Sequence, residues 1–383
     1  MSFVLDRVPA ITQAEGALGR LGALARQLGG GGPVLLVADP GLAAFGITAR
    51  AEAALHDAGL LFSTFEDIKS DPYATQVDAA AAQARMLGAT VMVALGGGSA
   101  MDAGKAAAAV AAAELPAEHY ALFANPLPVA PLHRICVPTT SGTGSETTRT
   151  SILTNAAGAK VWLWGEALKA DAVLLDPALT IGLPAHLTAA TGIDALVHAI
   201  EATTNANNNA ATNMVCLEAI RLVVRHLPTA VRDPGNIPAR AAVQWAAALA
   251  GIGIDTSGTA IAHNIGHALA SLRPVHHGRA VGVAMLATLG WNASRDPQGR
   301  FAAVAEAMGE GVDASRLPAA FERLLRETGV RVSLRGEGHD GIAPETLAAQ
   351  MRRPENAAML ASQHRPVSDD DMLVFATAVL AQS

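Results

Sequence analysis

Between Gly192 and Gly278 the chain places acidic and imidazole side chains at spacings that suit a metal. Asp194 and His198 stand four residues apart with no Gly or Pro between them, and His263 and His267 repeat that interval. Residues four apart share one face of a helix, so each helical pair would present two donors together. Arg273-Pro274 would end the second helix and let His276-His277-Gly278 return from another direction. One carboxylate and three imidazoles can then converge on a divalent cation, as oxygen and nitrogen donors suited to iron, zinc or nickel. A lone Asp-x-x-x-His pair is ordinarily a solvated face. That pair together with a His-x-x-x-His pair and a further His element, in a chain with only 12 histidines, is harder to explain that way. His-x-x-x-His also occurs in zinc proteases, but those need a Glu after the first His as general base, and Asn264 stands there.

These residues need elements to hold them, and the first half of the chain is of a different kind. Short apolar runs at 33–38, 61–65 and 90–95 read as buried strands, and helical patterns fall at 13–28, 48–58 and 75–87. Such alternation predicts a parallel, doubly wound sheet with its ligand at the carboxyl ends of the strands. The third run ends in Gly96-Gly97-Gly98-Ser99. Glycines let backbone approach a phosphate, and a following helix start points free N–H groups at it. Ser99 reads as the N-cap, forming a capping box with Asp102. A second loop, at 138–146, is rich in hydroxyls and glycines and follows a strand at 134–137. Asp39 closes the first strand, where an acid accepts hydrogen bonds from ribose hydroxyls and repels a 2′-phosphate, which favours NAD over NADP.

Asp176-Pro177 and Leu183-Pro184 punctuate the chain, and beyond them only helical patterns follow, from 185–203 to 369–382. The expected division is an α/β nucleotide-binding domain of Rossmann-like type at 1–184 and an all-α metal-binding domain at 185–383. A chain of 383 residues supports two domains. With 51% hydrophobic and 16% charged residues it reads as globular, with apolar surface left for a homodimer or larger homo-oligomer. A net charge of -7 and no basic run argue against nucleic acid or an anionic membrane surface as partner. Cys136 and Cys216 both fall in apolar runs, which excludes a disulfide framework. The first ten residues lack the pattern of a signal peptide, and the apolar runs at 106–113 and 246–254 are too short to span a bilayer. A cytoplasmic enzyme is the simplest expectation.

Taken together, Gly96–Asp102, Pro138–Glu146 and Leu187–Glu201 resemble the iron-containing (group III) alcohol dehydrogenase family, and the likeness runs from Asp39 to about Trp291. The resemblance implies Asp194, His198, His263 and His277 as metal ligands, with Fe²⁺ as the expected ion and Zn²⁺ equally compatible with the donors. It implies Gly97, Gly98, Ser99, Thr139 and Thr140 as cofactor contacts, Lys160 at the nicotinamide ribose, and His267 close to the substrate. Asp71 departs from the family, which often has Asn there, and Ala268 stands where Pro is common. The implied reaction is reversible hydride transfer between a small alcohol or aldehyde and NAD. The rival is a lyase of the dehydroquinate-synthase type, which would carry several cations for a phosphate-bearing substrate. Only Arg273 and Arg279 stand near the metal segment.

Overall fold

The computed structural model describes residues 3–129 and 132–382. The chain falls into two compact units. One comprises Arg7–Thr140 and Gly144–Leu183, and the other comprises Pro184 onward together with residues 3–6 and Ser141–Thr143.

The first unit contains β1 (Ala10–Gln13), α1 (Leu21–Gly29), β2 (Val34–Ala38), α2 (Ile47–Asp57), β3 (Phe62–Phe65), α3 (Ala74–Leu87), β4 (Val91–Gly96) and α4 (Gly98–Val110). It continues with β5 (His133–Pro138), β6 (Thr150–Thr154), β7 (Lys160–Trp164) and β8 (Ala172–Leu175). Six strands make one sheet in the order β1-β8-β5-β4-β2-β3, and each pairing in it is parallel. Alternate side chains of a strand face opposite sides, and β2 shows the result. Val34, Leu36 and Ala38 enter the core with Leu21, Ala25 and Ala51 of α1 and α2. Leu35 and Val37 enter the other, with Val77 of α3 and Ala103 and Ala107 of α4. Burial on both faces explains why these strands read as unbroken apolar runs.

Four strands lay beyond the sequence patterns, β8 among them. Ala10–Gln13, expected to lead into a helix, is instead an edge strand in register with Ala172–Leu175. β6 and β7 form a separate antiparallel hairpin. Its inner face, Leu153, Val161 and Leu163, packs into the core shared by α3 and α4.

The second unit is helical. It contains α5 (Ala185–Thr204), α6 (Ala210–Arg232), α7 (Ile237–Ser257), α8 (Ile261–Leu272), α9 (His277–Ala293), α10 (Arg300–Ala307) and α11 (Leu317–Glu327). α12 (Pro344–Met351), α13 (Ala357–Ala361) and α14 (Asp369–Leu380) complete it. α5 is buried from Thr188 to Thr204 on every side, as a central helix must be. Glycines let its neighbours close in. A Cβ on Gly192 would meet Leu227 of α6, and one on Gly278 would collide with the Ala190 carbonyl oxygen. α7 is apolar and long enough to cross a membrane, yet it is mostly buried among these helices, as a core helix is.

Candidate metal centre and nucleotide loops

α5 carries Asp194 and His198 on one face, α8 contributes His263 from its first turn, and His277 is the first residue of α9. The Arg273-Pro274 break between α8 and α9 is what returns His277 to the other two helices. One donor atom from each of the four lies within 4.8 Å of the rest. Asp194 Oδ1 stands 3.5 Å from His277 Nε2, 3.7 Å from His263 Nε2 and 3.8 Å from His198 Nδ1. Those separations exceed a hydrogen bond, about 2.7–3.2 Å. They are close to the ~3.4 Å edge of a tetrahedron whose ligands lie about 2.1 Å from a shared ion. Asp194 Oδ1, His198 Nδ1 and His263 Nε2 are buried without a hydrogen-bond partner. A buried polar atom left unpaired costs about 1–3 kcal/mol. Three of them aimed at one point fit a cation that satisfies them all.

The charge states of Asp194 and His198 suit a metal site. Burial pushes the Asp194 carboxyl up, but the imidazoles of His198, His277 and His263 outweigh it and hold the group below its usual range. Burial drives His198 down to about 4 against the pull of Asp194, so its ring is neutral at physiological pH, as a ligand must be.

Glu201 completes the site, and it had no assigned role in the sequence reading. It lies one turn beyond His198 on the buried α5 and accepts the backbone N–H groups of Ala260 and Ala262 at 2.7 and 2.6 Å. Its Oε2 lies 2.6 Å from His263 Nδ1. Burial alone would lower His263, yet Glu201 and Asp194 lift it to about 9. A carboxylate on Nδ1 fixes the ring so that Nε2 faces the ion. The signal was present in the sequence, since residues 194, 198 and 201 lie along one stripe of a helix. His267 lies outside the group of four, partly exposed, with its ring 5.3 Å from that of His277 and 6.4 Å from that of His263. Asn264 points elsewhere and gives its amide to the Met351 and Asn356 carbonyls.

The glycine loop lies at the carboxyl end of β4. Gly96 has φ 149 and sits where a Cβ would meet Ala100 at 2.7 Å and Asp39 at 3.0 Å, so no side chain fits. α4 begins at Gly98 with Gly97 as N-cap and no side-chain cap. The expected capping box is therefore absent. Ser99 lies inside the first turn and accepts from the Asp71 N–H at 3.1 Å, while Asp102 turns to Ser145 and Ile152. With no side chain over them, the first-turn N–H groups are left for an outside acceptor such as a phosphate. Gly97, Gly98 and Ser99 are partly exposed.

Thr139 and Thr140 lie beside this loop. The Thr139 N–H bonds the Gly96 carbonyl at 2.9 Å, and the Thr140 methyl lies 3.4 Å from where a Cβ on Gly97 would be. Asp39 uses Oδ1 to accept the Gly41 N–H at 2.8 Å and so caps a short turn. Lys160 on β7 pairs with Asp71 at 2.8 Å. Asp71 holds φ 56, a left-handed conformation that Asp and Asn tolerate better than most residues.

Profiles of known families cover nearly the whole chain. The one described as iron-containing alcohol dehydrogenase matches residues 9–177, and the C-terminal one of the Fe-containing alcohol dehydrogenase family matches residues 188–379. The chain belongs to the iron-containing alcohol dehydrogenase family. Members of the family with 30% identity or more include the sulfoacetaldehyde reductase of Bilophila wadsworthia, 32% identical over 97% of this chain and 98% of that protein. The 1,3-propanediol dehydrogenase of Klebsiella pneumoniae is 35% identical over 82% of this chain and 83% of its own length. Among solved structures, sulfoacetaldehyde reductase from Bifidobacterium kashiwanohense in complex with NAD+ superposes with TM-score 0.90 at 28% identity, covering 100% of both chains. The protein is an oxidoreductase that acts on alcohols and aldehydes, and family membership does not favour the lyase alternative.

Proposed function

We propose that the enzyme interconverts a small alcohol and its aldehyde by hydride transfer with NAD, using one divalent ion held by Asp194, His198, His263 and His277. The observation that carries this reading is the convergence of four donors with three buried, unpartnered atoms among them. Family membership favours Fe²⁺, and Zn²⁺ suits the same donors. A divalent ion in that site supplies Lewis acidity toward an alcohol or carbonyl oxygen, and NAD supplies the hydride chemistry.

The chain's own residues do the rest. Glu201 keeps the His263 ring oriented and its Nδ1 occupied. Partly exposed His267 stands beside His277, in position to pass the alcohol proton to solvent. In the other unit the free N–H groups of Gly98 and Ser99, backed by Gly97, bind the pyrophosphate, and Thr139 and Thr140 flank it. Asp39 has Oδ2 left for a ribose hydroxyl and disfavours NADP. Lys160 serves the nicotinamide ribose, held ready by Asp71.

The reading extends to a cytoplasmic homodimer or larger homo-oligomer. Two free buried cysteines suit a reducing compartment. Exposed Phe3, Val4, Leu5 and Val8 precede the edge strand β1, which supports self-association. Following NADH and NADPH absorbance over a panel of aldehydes that includes sulfoacetaldehyde, with Fe²⁺ or Zn²⁺ added, tests the assignment. Aldehyde-dependent loss of NADH in preference to NADPH is expected. Constant absorbance with every aldehyde and both ions would overturn it.

A further inference from the structure

Lys105 is, with Lys169, among the largest fully buried side chains of the described residues, and it lies on a helix rich in alanine. A buried ammonium is costly unless every proton is used. Here each has an acceptor. Lys105 Nζ donates to the Ser145 carbonyl at 2.7 Å and the Thr150 carbonyl at 2.6 Å, and reaches the Thr148 carbonyl at 3.3 Å. Asp102, one turn back on α4, lies 3.6 Å away and accepts the Ser145 hydroxyl at 2.5 Å and the Ile152 N–H at 3.0 Å. Ser145–Thr147 is a short 3₁₀ turn and Thr150 opens β6, while Thr148 and Arg149 between them belong to neither. One ammonium ties the turn, the link and the start of the strand together.

This arrangement lies at the far end of the hydroxyl-rich loop. The near end is fixed by the Thr139 N–H on Gly96, the residue that opens the glycine loop. The far end, at Ser145, is fixed to the second and third turns of α4, the helix whose first turn offers the phosphate site. We propose that Lys105 and Asp102 are positioning residues for dinucleotide binding, pinning the exit of the 138–146 loop to the helix that carries the phosphate site. Without that pin the loop is closed at one end only, and Thr139 and Thr140 must be ordered when the cofactor arrives. The cost falls on cofactor affinity. The inference rests on the NAD reading above.

The experiment compares wild type, K105M, D102N and S145A by NADH titration of tryptophan fluorescence. Metal content, circular dichroism and melting temperature are measured on the same samples. K105M is expected to raise the Kd for NADH about tenfold or more while retaining its metal, and to raise the KM for NAD more than it changes kcat. D102N and S145A should follow in the same direction with smaller shifts. A folded K105M with wild-type Kd overturns the proposal. If K105M does not fold, unchanged Kd values in D102N and S145A overturn it instead. A wild type that binds no NADH defeats the NAD reading itself, which separates the two failures.

Discussion

The two units carry candidate sites built from opposite materials. In the α/β unit the candidate cofactor loops are mostly backbone: Gly96 with no room for a side chain, an uncapped helix start and Thr139 fixed by a main-chain bond. In the helical unit the metal centre is all side chain, drawn from three helices and sealed from water at Asp194, His198 and His263. A backbone site fails when an atom is added, because the Cβ takes the ligand's space or the φ angle forbids it. A side-chain site fails when an atom is removed. Substitutions of opposite kinds should therefore separate the two.

The largest effect is expected at Asp194, which faces all three imidazoles. Asp194→Ala should leave a protein without bound metal and with activity at background, while NADH still binds to the other unit. Elemental analysis beside an NADH titration checks this, and full metal retention would remove Asp194 from the ligand set. Gly96→Ala should do the reverse. Its φ of 149 and the 2.7 Å approach to Ala100 leave a Cβ no space. Backbone strain of this kind costs about 1–3 kcal/mol. The metal should stay bound while NADH affinity falls by about tenfold to a hundredfold. Equal loss of both ligands would mean that the division into backbone and side-chain sites is wrong.

The same difference explains what was legible in the sequence. Asp194, His198, His263 and His277 are visible because unusual residue types recur at helical intervals, and the Pro274 break shows where the chain turns back. Gly96–Ser99 is visible because a glycine run follows an apolar strand. β1 was hidden, since four residues, Ala10–Gln13, are fixed as a strand only by pairing with Ala172–Leu175 far along the chain. Lys105 was hidden for a related reason. A lysine on a helix reads as solvated, and only the carbonyls of a distant segment make its burial possible. Ser99 misled because Ser-x-x-Asp matches a capping box, whereas the helix starts two residues earlier and Asp102 has better donors.

Glu201→Gln sharpens the comparison from the side-chain half. Glu201 accepts from three groups at once, and an amide has one oxygen for them and an NH₂ that opposes a donor. Losing such an outer partner typically weakens metal affinity about tenfold to a hundredfold. Competition with a chelator should show that drop with NADH affinity unchanged, and undiminished metal affinity would leave Glu201 as a scaffold for α8 alone.

The smallest effect concerns two carboxyls that are equally buried and pushed in opposite directions. Glu146 and Asp194 are each 2% exposed. Burial pushes Glu146 up to about 7, and its own N–H and Lys105 only partly oppose it. Asp194 is pulled down by the imidazoles around it. A carboxyl raised on folding contributes stability that is complete below its unfolded value of about 4.5 and is lost as pH rises through about 7. Over that window Glu146 should tilt stability downward by at most ~1.4 kcal/mol per pH unit. Asp194 acts with the other sign, contributing above its unfolded value and losing that contribution as acid protonates it. Glu146→Gln should flatten the fall between about pH 4.5 and 7 without changing metal content. Chemical denaturation of wild type and variant across that range checks the slope. Parallel curves would show that Glu146 ionises freely inside the fold and that burial in the backbone-built half does not isolate a charge as the contrast requires.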